Sequence, residues 1–588
     1  MAFVKRILVG RPLATTEMEH QRIPKTIALA VFSSDAISST AYATEEILFV
    51  VAFGTSSLAL GLNVLVPIGV AVAILLAIVI TSYRQTIFSY PSGGGSYVVS
   101  RENLGENPSL VAGASLLVDY ILTVAVSISA GVAAIVSIPA FRDWQDHRVL
   151  IGLVLIALIC VANLRGIKES GRIFAVPTYV YIGALTALVG YGLFRTFVLD
   201  DIGRINPAAF KAEGGQVFGG TLPFLLLLKG FSSGAVALTG VEAISNGVPA
   251  FRRPESKNAA NTLVWMGVIL GTLFMGVQIL SHHLGPYPNE HNTVMSQLGA
   301  AVWGHGTVMY VVLQFATAAI LTLAANTAYA DFPRLSSIIA SDGYLPKQLA
   351  NRGDRLVFSN GVLVLSLAAA ALLIAFGGQT NALIPLYAVG VFLSFTLSQA
   401  GMVRHHQHEK EKGYKRGIVI NAVGSVATFI VLLIVGGTKF TSGAWVPLVV
   451  IPIIVLGFKA ISRHYRTVAD GLSVTPDYRS RRMNHTVVVL VSGVHRGVLD
   501  ALAYAQSLHP NHLVAVSVVS DEDEQNKLEH QWEEFDLDVP LEFVYSPYRE
   551  MARPITTFID ELDARFENDV ITVVLPEFVV RHWWGNIL

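Results

Sequence analysis

Long apolar runs fix what this chain can become. They lie at about 26–53, 58–82, 108–138, 148–164, 174–198, 220–250, 261–281, 306–330, 358–377, 383–403, 418–436 and 443–462. A helix needs about 20 apolar residues to cross a bilayer core, so the pattern predicts about twelve spanning helices. Charged residues make up 14% of the 588 positions, against about 25% in a soluble domain. This excludes a soluble enzyme and predicts an α-helical polytopic membrane protein. The lone cysteine, Cys160, lies in an apolar run, so no internal disulfide framework is possible.

Lys and Arg in short loops set orientation. The N-terminal segment carries Lys5, Arg6, Arg11, Arg22 and Lys25 and shows no cleavable signal pattern, so the first helix is expected to be retained. Alternate loops are basic: Arg84 and Arg101; Arg165, Lys168 and Arg172; Arg252, Arg253 and Lys257; Arg334, Lys347, Arg352 and Arg355; Lys410, Lys412, Lys415 and Arg416. The stretches 54–62, 282–304 and 378–382 have no Lys or Arg. The 195–219 loop departs from this, with Arg195, Arg204 and Lys211 offset by acids. Both termini are therefore expected on the cytoplasmic side of the plasma membrane. Residues 1–25 form a cytoplasmic segment, 26–465 the transmembrane domain and 466–588 a cytosolic domain.

The first run is interrupted where it should be most apolar. Phe32 to Glu46 reads FSSDAISSTAYATEE, an aspartate and a cluster of hydroxyls. An acid at bilayer depth costs about 2.5–3.5 kcal/mol on insertion scales, which makes Asp35 a functional candidate. Phe231 to Ile244, FSSGAVALTGVEAI, echoes it. Aligned on Phe-Ser-Ser, both have Ala fifth and Thr ninth, Thr40 and Thr239. Polar, small-residue interruptions in corresponding helices of two halves mark the binding site of an inverted-repeat transporter. Chance likeness between small-residue packing faces leaves Asp35 and Glu242 unexplained.

Other polar groups are placed less sharply. Tyr90 to Gly105, YPSGGGSYVVSRENLG, is either a flexible loop or a closely packed re-entrant segment, since its three glycines allow backbone shapes that a Cβ forbids. The 108–138 run holds Asp119, Tyr120, Thr123 and Ser127; the last three share a helix face. Such a stripe faces protein or water, or holds the bundle together. Tyr387 needs a hydroxyl partner at membrane depth, and Lys229 either pairs with an acid or snorkels. Pro333 is expected to begin a short amphipathic surface helix, with a turn at Asp342-Gly343. His405, His406 and His408 read as a solvated basic loop rather than a metal site.

After about Arg466 the pattern changes to strands at 485–494, 512–519, 541–545 and 570–576 alternating with helices at about 497–508, 522–535 and 552–566. That alternation predicts a parallel α/β sheet. No glycine-rich nucleotide motif is present, and a structural or dimerisation role stands beside a regulatory one.

Several stretches carry a resemblance. YPSGGGSY…RENLG and ADFPRLSSIIASDGYLPKQL resemble the amino acid–polyamine–cation superfamily. FSSDAISSTAYATEEIL, SLLVDYILTVAVSISAG, KGFSSGAVALTGVEAISN and LIPLYAVGVF are similar to the KimA-type potassium importers of the KUP family, over the chain from about residue 5. The resemblance implies a LeuT-like fold of two inverted five-helix repeats plus two helices. It also implies proton-coupled potassium uptake (K+/H+ symport) by alternating access, and a homodimer through swapped cytosolic domains. Those domains would be universal-stress-protein-like and bind inhibitory cyclic di-AMP. Family members carry further sequence where this chain ends.

Carried over by motif, the potassium-binding residues would be Asp35, Tyr42, Asp119, Tyr120, Thr123, Ser127, Thr239, Glu242 and Tyr387. Proton coupling would fall to Glu242 and Asp35. Proton and potassium would compete for one carboxylate, which makes the two occupancies mutually dependent. Cyclic di-AMP would meet Ser492, Gly493, Val494, Arg496, Ser546 and Arg549 at strand ends, where open α/β sheets bind ligands. No cofactor and no nucleic-acid polymer is expected; the partners are potassium, protons, lipid and a second copy.

An amino acid or polyamine permease of the same superfamily is the alternative. A fixed anion at the expected helix 1 break, Ser33-Ser34-Asp35, repels a substrate carboxylate and attracts a cation. A nucleotide-sensing receptor with a mere membrane anchor would have no use for intramembrane acids.

Overall fold

The computed structural model describes residues 23–55, 57–93, 95–165, 170–205, 224–289, 292–352, 357–411, 413–473, 484–546, 551–566 and 569–577. Lys5, Arg6, Arg11, Arg22, Lys168, Lys211, Arg355, Lys412 and Arg549 lie outside them. The chain divides into two compact units, Met1–Gly471 and Leu472–Leu588.

The first unit is helical. It comprises α1 Lys25–Phe32, α2 Ser34–Ser38, α3 Ala43–Thr55, α4 Leu58–Ser89, α5 Gly95–Leu104, α6 Glu106–Val136, α7 Arg148–Arg165, α8 Ser170–Phe194 and α9 Phe224–Gly234. It continues with α10 Glu242–Asn246, α11 Glu255–Leu284, α12 Val294–Trp303, α13 Val308–Ser341, α14 Ser359–Ala375, α15 Thr380–Glu409, α16 Tyr414–Thr438 and α17 Trp445–Gly471. Among the described residues, eleven helical stretches are long and apolar enough to cross a membrane. A twelfth was expected at 358–377; α14 stands there with 17 residues, about 26 Å of helix at 1.5 Å per residue. The short apolar α12 falls in a stretch expected to be loop. Helix α6 packs against α13, α14, α15 and α17, so its polar face is enclosed by protein.

Two segments break in the membrane. Between α1 and α3 the chain bends at Ser33, makes α2, then tightens into a 3-10 turn at Ser39–Ala41. The break expected at Ser33-Ser34-Asp35 is therefore spread, and Asp35 sits within the helical turn α2. The cause is local. Ser38, Ser39 and Thr40 hydroxyls donate to the carbonyls of Asp35, Ala36 and Ile37 at 2.8, 2.5 and 2.6 Å, competing with the helix's own amides. The second segment tightens at Ala235–Leu238, turns extended at Thr239 and left-handed at Gly240 (φ 79°), then restarts as α10. Ser39 Oγ also donates to Ala237 O at 3.2 Å, tying the two breaks together.

Two expectations for surface segments are corrected. Helix α13 runs for 34 residues straight through Pro333, with Leu335, Ser336, Ile339 and Ala340 buried, so no separate surface helix forms. Gly361 of α14 makes room for the proline; a Cβ there would stand 2.8 Å from its ring. The Asp342-Gly343 turn is present, with Gly343 at φ 81°. His405, His406 and His408 are helical, because α15 continues to Glu409. His405 Nδ1 lies 3.3 Å from the Tyr90 hydroxyl, and His406 Nε2 lies 3.0 Å from Gln85 Oε1.

The second unit alternates β1 Asn484–Leu490, α18 Arg496–Ser507, β2 His512–Val519, α19 Glu522–Glu534, β3 Leu541–Tyr545, α20 Ala552–Arg565 and β4 Asp569–Val574. All pairings are parallel, in the order β3-β2-β1-β4. Val487 and Val489 pack with Leu502 and Trp532 on one face, Val488 with Phe558 and Leu562 on the other. A strand covered on both faces reads as an unbroken valine run. Strand β1 ends at Leu490, before the expected 494.

Candidate functional site

A small cavity of about 20 Å³ lies between the breaks, lined by Asp35, Asp119, Tyr120, Gly240, Glu242, Thr327, Asp331 and apolar neighbours. That is room for about one water-sized particle. Asp35 comes from α2, Asp119 and Tyr120 from α6, Glu242 from the first turn of α10, and Asp331 from α13. All four acids are buried.

Glu242 is fully dressed with donors. Its Oε1 accepts from the Ser96 amide at 3.0 Å and the Ser96 hydroxyl at 2.8 Å; its Oε2 accepts from Tyr83 and Ser394 hydroxyls, both at 3.2 Å. The glycine-rich stretch therefore closes on Glu242. A Cβ on Gly95 (φ 52°) would stand 2.6 Å from Glu242 Oε1 and overlap Asn246 Oδ1, so only glycine brings the Ser96 amide there. Neither sequence reading of this stretch foresaw a cap for Glu242.

Asp119 Oδ1 and Asp331 Oδ2 are buried with no hydrogen-bond partner. Tyr120 accepts from Asn246 Nδ2 at 2.7 Å. Thr123 and Tyr387 hydroxyls meet at 3.0 Å, which supplies the partner Tyr387 needs. Ser127 is buried one turn further along α6. Tyr42 lies against Asp35 and Thr239 and also lines a larger cavity of about 630 Å³ with Glu45, Glu46 and Arg148. The smaller cavity between the breaks is not lined by Tyr42. Lys229 is half-buried in α9, outside both. Asp331 escapes the sequence reading because the apolar run stops at 330, which puts the acid at the membrane boundary. Its signal is the continuing helical period of Leu335 and Ile339.

In the second unit a cavity of about 550 Å³ lies over the carboxyl ends of β1, β2 and β3. Ser492, Gly493, Val494 and Ser546 line it, as do His495, Ser520, Glu524 and Lys527. Arg496 does not; its side chain is 95% exposed, 3.8 Å from Asp500.

A membrane bundle with two broken helices meeting at an acidic, enclosed cavity defines a permease-type transporter. Residues 26–458 match the amino acid permease family, and residues 482–588 match the KimA potassium transporter C-terminal domain. The chain is 45% identical over its whole length to the potassium transporter KimA of Bacillus subtilis, covering 95% of that protein. It is 25% identical to an L-asparagine permease of Streptomyces coelicolor, over 46% of this chain and 54% of that one. A probable potassium transport system protein Kup 1 of Bifidobacterium longum is 33% identical over 14% of each chain. The chain belongs to the KimA family of amino acid permease-type membrane proteins.

Proposed function

We propose that this protein takes up potassium across the plasma membrane by alternating access, in symport with protons. The LeuT-like inverted repeat would supply the two broken helices, and both termini would be cytoplasmic. One observation carries the potassium reading: the cavity between the breaks is walled by Asp35, Asp119, Glu242 and Asp331. Fixed anions lining a small cavity attract a cation and repel a substrate carboxylate. Hydroxyls such as Tyr120 and Thr327 offer further oxygens of the kind that replace a monovalent cation's water. The whole-chain likeness to a potassium transporter agrees with this.

Glu242 is the proton carrier in this reading. The Ser96 amide can only donate, so Oε1 stays an acceptor. The Tyr83 and Ser394 hydroxyls beside Oε2 can accept as well as donate. A proton on Oε2 therefore has partners without rearrangement of the backbone. The second unit is read as a cyclic di-AMP-binding, dimer-forming regulatory domain.

Growth of a potassium-uptake-deficient host at low potassium tests the transport reading. Growth that depends on this protein, with rubidium uptake into proteoliposomes, supports it. Asparagine or polyamine uptake without rubidium flux assigns the protein to the permease alternative instead.

A further inference from the structure

We propose that Asp331 is a cation-contacting residue of the transport path, acting with Asp119 at the same cavity; this rests on the potassium reading above. Helix α13 presents Thr327, Asp331 and Arg334 at spacings of four and three, one face of one helix. Thr327 Oγ1 lies 3.4 Å from Ser34 Oγ, which fixes this face of α13 against the first broken segment. One turn on, Asp331 is 3% exposed and lines the cavity.

The neighbours of Asp331 leave it a use for a cation. Its Oδ2 is buried without a hydrogen-bond partner. Arg334 is the cation that acts on Asp331 most, the acids Glu242 and Asp35 repel it, and the Asn246 side chain hydrogen-bonds to it. Asn246 divides its NH2 group, one N–H going to Tyr120 at 2.7 Å. Arg334 spends its guanidinium on carbonyls, donating to Asn246 O at 2.8 Å and Ser92 O at 3.5 Å, with no ion pair to Asp331 among the described residues. Asp119, across the cavity, has Oδ1 equally unpartnered. Glu242 differs, since four donors already satisfy it. Two buried carboxylates, each with one oxygen unpartnered, facing one small space is a costly arrangement. A cation between them removes that cost. The acids do not converge into a tight metal cage; no group of three His, Cys, Asp or Glu does so among the described residues. Sparse carboxylates with neutral oxygens suit a weakly held monovalent ion, whereas a divalent cation collects six or more oxygens.

The test is rubidium binding to the full-length purified protein, read by equilibrium dialysis, for the wild type, Asp331→Asn and Asp331→Glu. Asp331→Asn should weaken rubidium binding about tenfold or more, the loss of one charge-assisted contact, and Asp331→Glu should recover part of it. Thermal unfolding in choline chloride and in potassium chloride separates contact from scaffolding: the asparagine variant should keep its potassium-free midpoint and lose most of the potassium-induced rise. If Asp331→Asn binds rubidium like the wild type, Asp331 does not touch the ion and the inference is overturned. It is overturned equally if potassium-free stability falls while rubidium affinity holds, because Asp331 then serves only the helix. Should Asp331→Asn not fold, wild-type affinity in Asp331→Glu also overturns it, and a weakened, folded Asp331→Glu upholds it. A wild-type protein that binds no rubidium instead removes the potassium reading itself.

Discussion

Asp35 and Glu242 are both acids at a helix break, but their surroundings ask different things of them. Asp35 sits at the cavity wall with Gly240 packed against it, where a cation can approach. Asp35→Asn should reduce rubidium uptake to background while the protein still inserts and elutes as a folded species. Near-normal flux from this variant in proteoliposomes would take Asp35 out of the site. Glu242→Gln is a milder change in packing. Glutamine keeps an acceptor for the Ser96 amide, and its NH2 group can donate to the Tyr83 and Ser394 hydroxyls. The variant resembles a permanently protonated Glu242, so it should fold yet uncouple uptake from the proton gradient or stop it. A pH dye inside the vesicles reads this; lumenal acidification still in step with potassium uptake would assign the proton to another group. The sequence points to both acids because an acid inside an apolar run is conspicuous. It does not point to Ser96 as the cap, since Ser96 and Glu242 are far apart in the chain and nothing in either stretch names the other.

At the scale of elements, the meeting of the two breaks depends on a glycine. Gly240 is left-handed, and a Cβ there would stand 2.7 Å from both the Ala36 amide and Asp35 Oδ2. Gly240→Ala should destabilise by more than about 1 kcal/mol and cut rubidium uptake about tenfold or more, a loss that about 1.4 kcal/mol of misplaced contact suffices to produce. Gly457→Ala, in the interior of α17 with nothing within 4 Å of the added Cβ, should leave flux unchanged and not lower the melting temperature. Equal melting and flux for both variants would mean that the breaks do not pack as described. The break between α9 and α10 is legible because Thr239-Gly240 interrupts an apolar run. The helix 1 break is harder to place because hydroxyl back-bonding at Ser38, Ser39 and Thr40, not the acid, loosens the backbone. Pro333 reads as a stop, but the room that lets α13 continue is made by Gly361, a neighbour in space only. The strands of the second unit are the easiest to read: Val487, Val488 and Val489 face two covered sides in turn, and the composition records that directly.

For the whole molecule, regulation rests on whether the second unit binds cyclic di-AMP. Its cavity has the chemistry for phosphate: serines at the strand ends, the turn Ser492–His495, and Lys527. Helix α18 starts at Arg496, directly after that turn, and a helix N-terminus favours an anion. Glu524 would oppose a phosphate, but its Oε2 accepts from the Ser520 amide and hydroxyl at 3.0 and 2.9 Å. Lys527 is then the one Lys or Arg lining the cavity among the described residues. Lys527→Ala should weaken cyclic di-AMP binding about tenfold, while Arg496→Ala, on a solvent-exposed side chain, should leave it nearly unchanged. The reverse pattern would place the nucleotide outside this cavity. A symmetric dinucleotide also suits a two-fold pair of such sites. To switch transport strongly it must favour the inactive state by about 5.5 kcal/mol; equal binding to both states would regulate nothing. Calorimetry and rubidium uptake on the full-length protein read the two halves of this claim. Binding without inhibition would show a ligand that does not distinguish the states. Neither binding nor inhibition would leave the second unit a structural role.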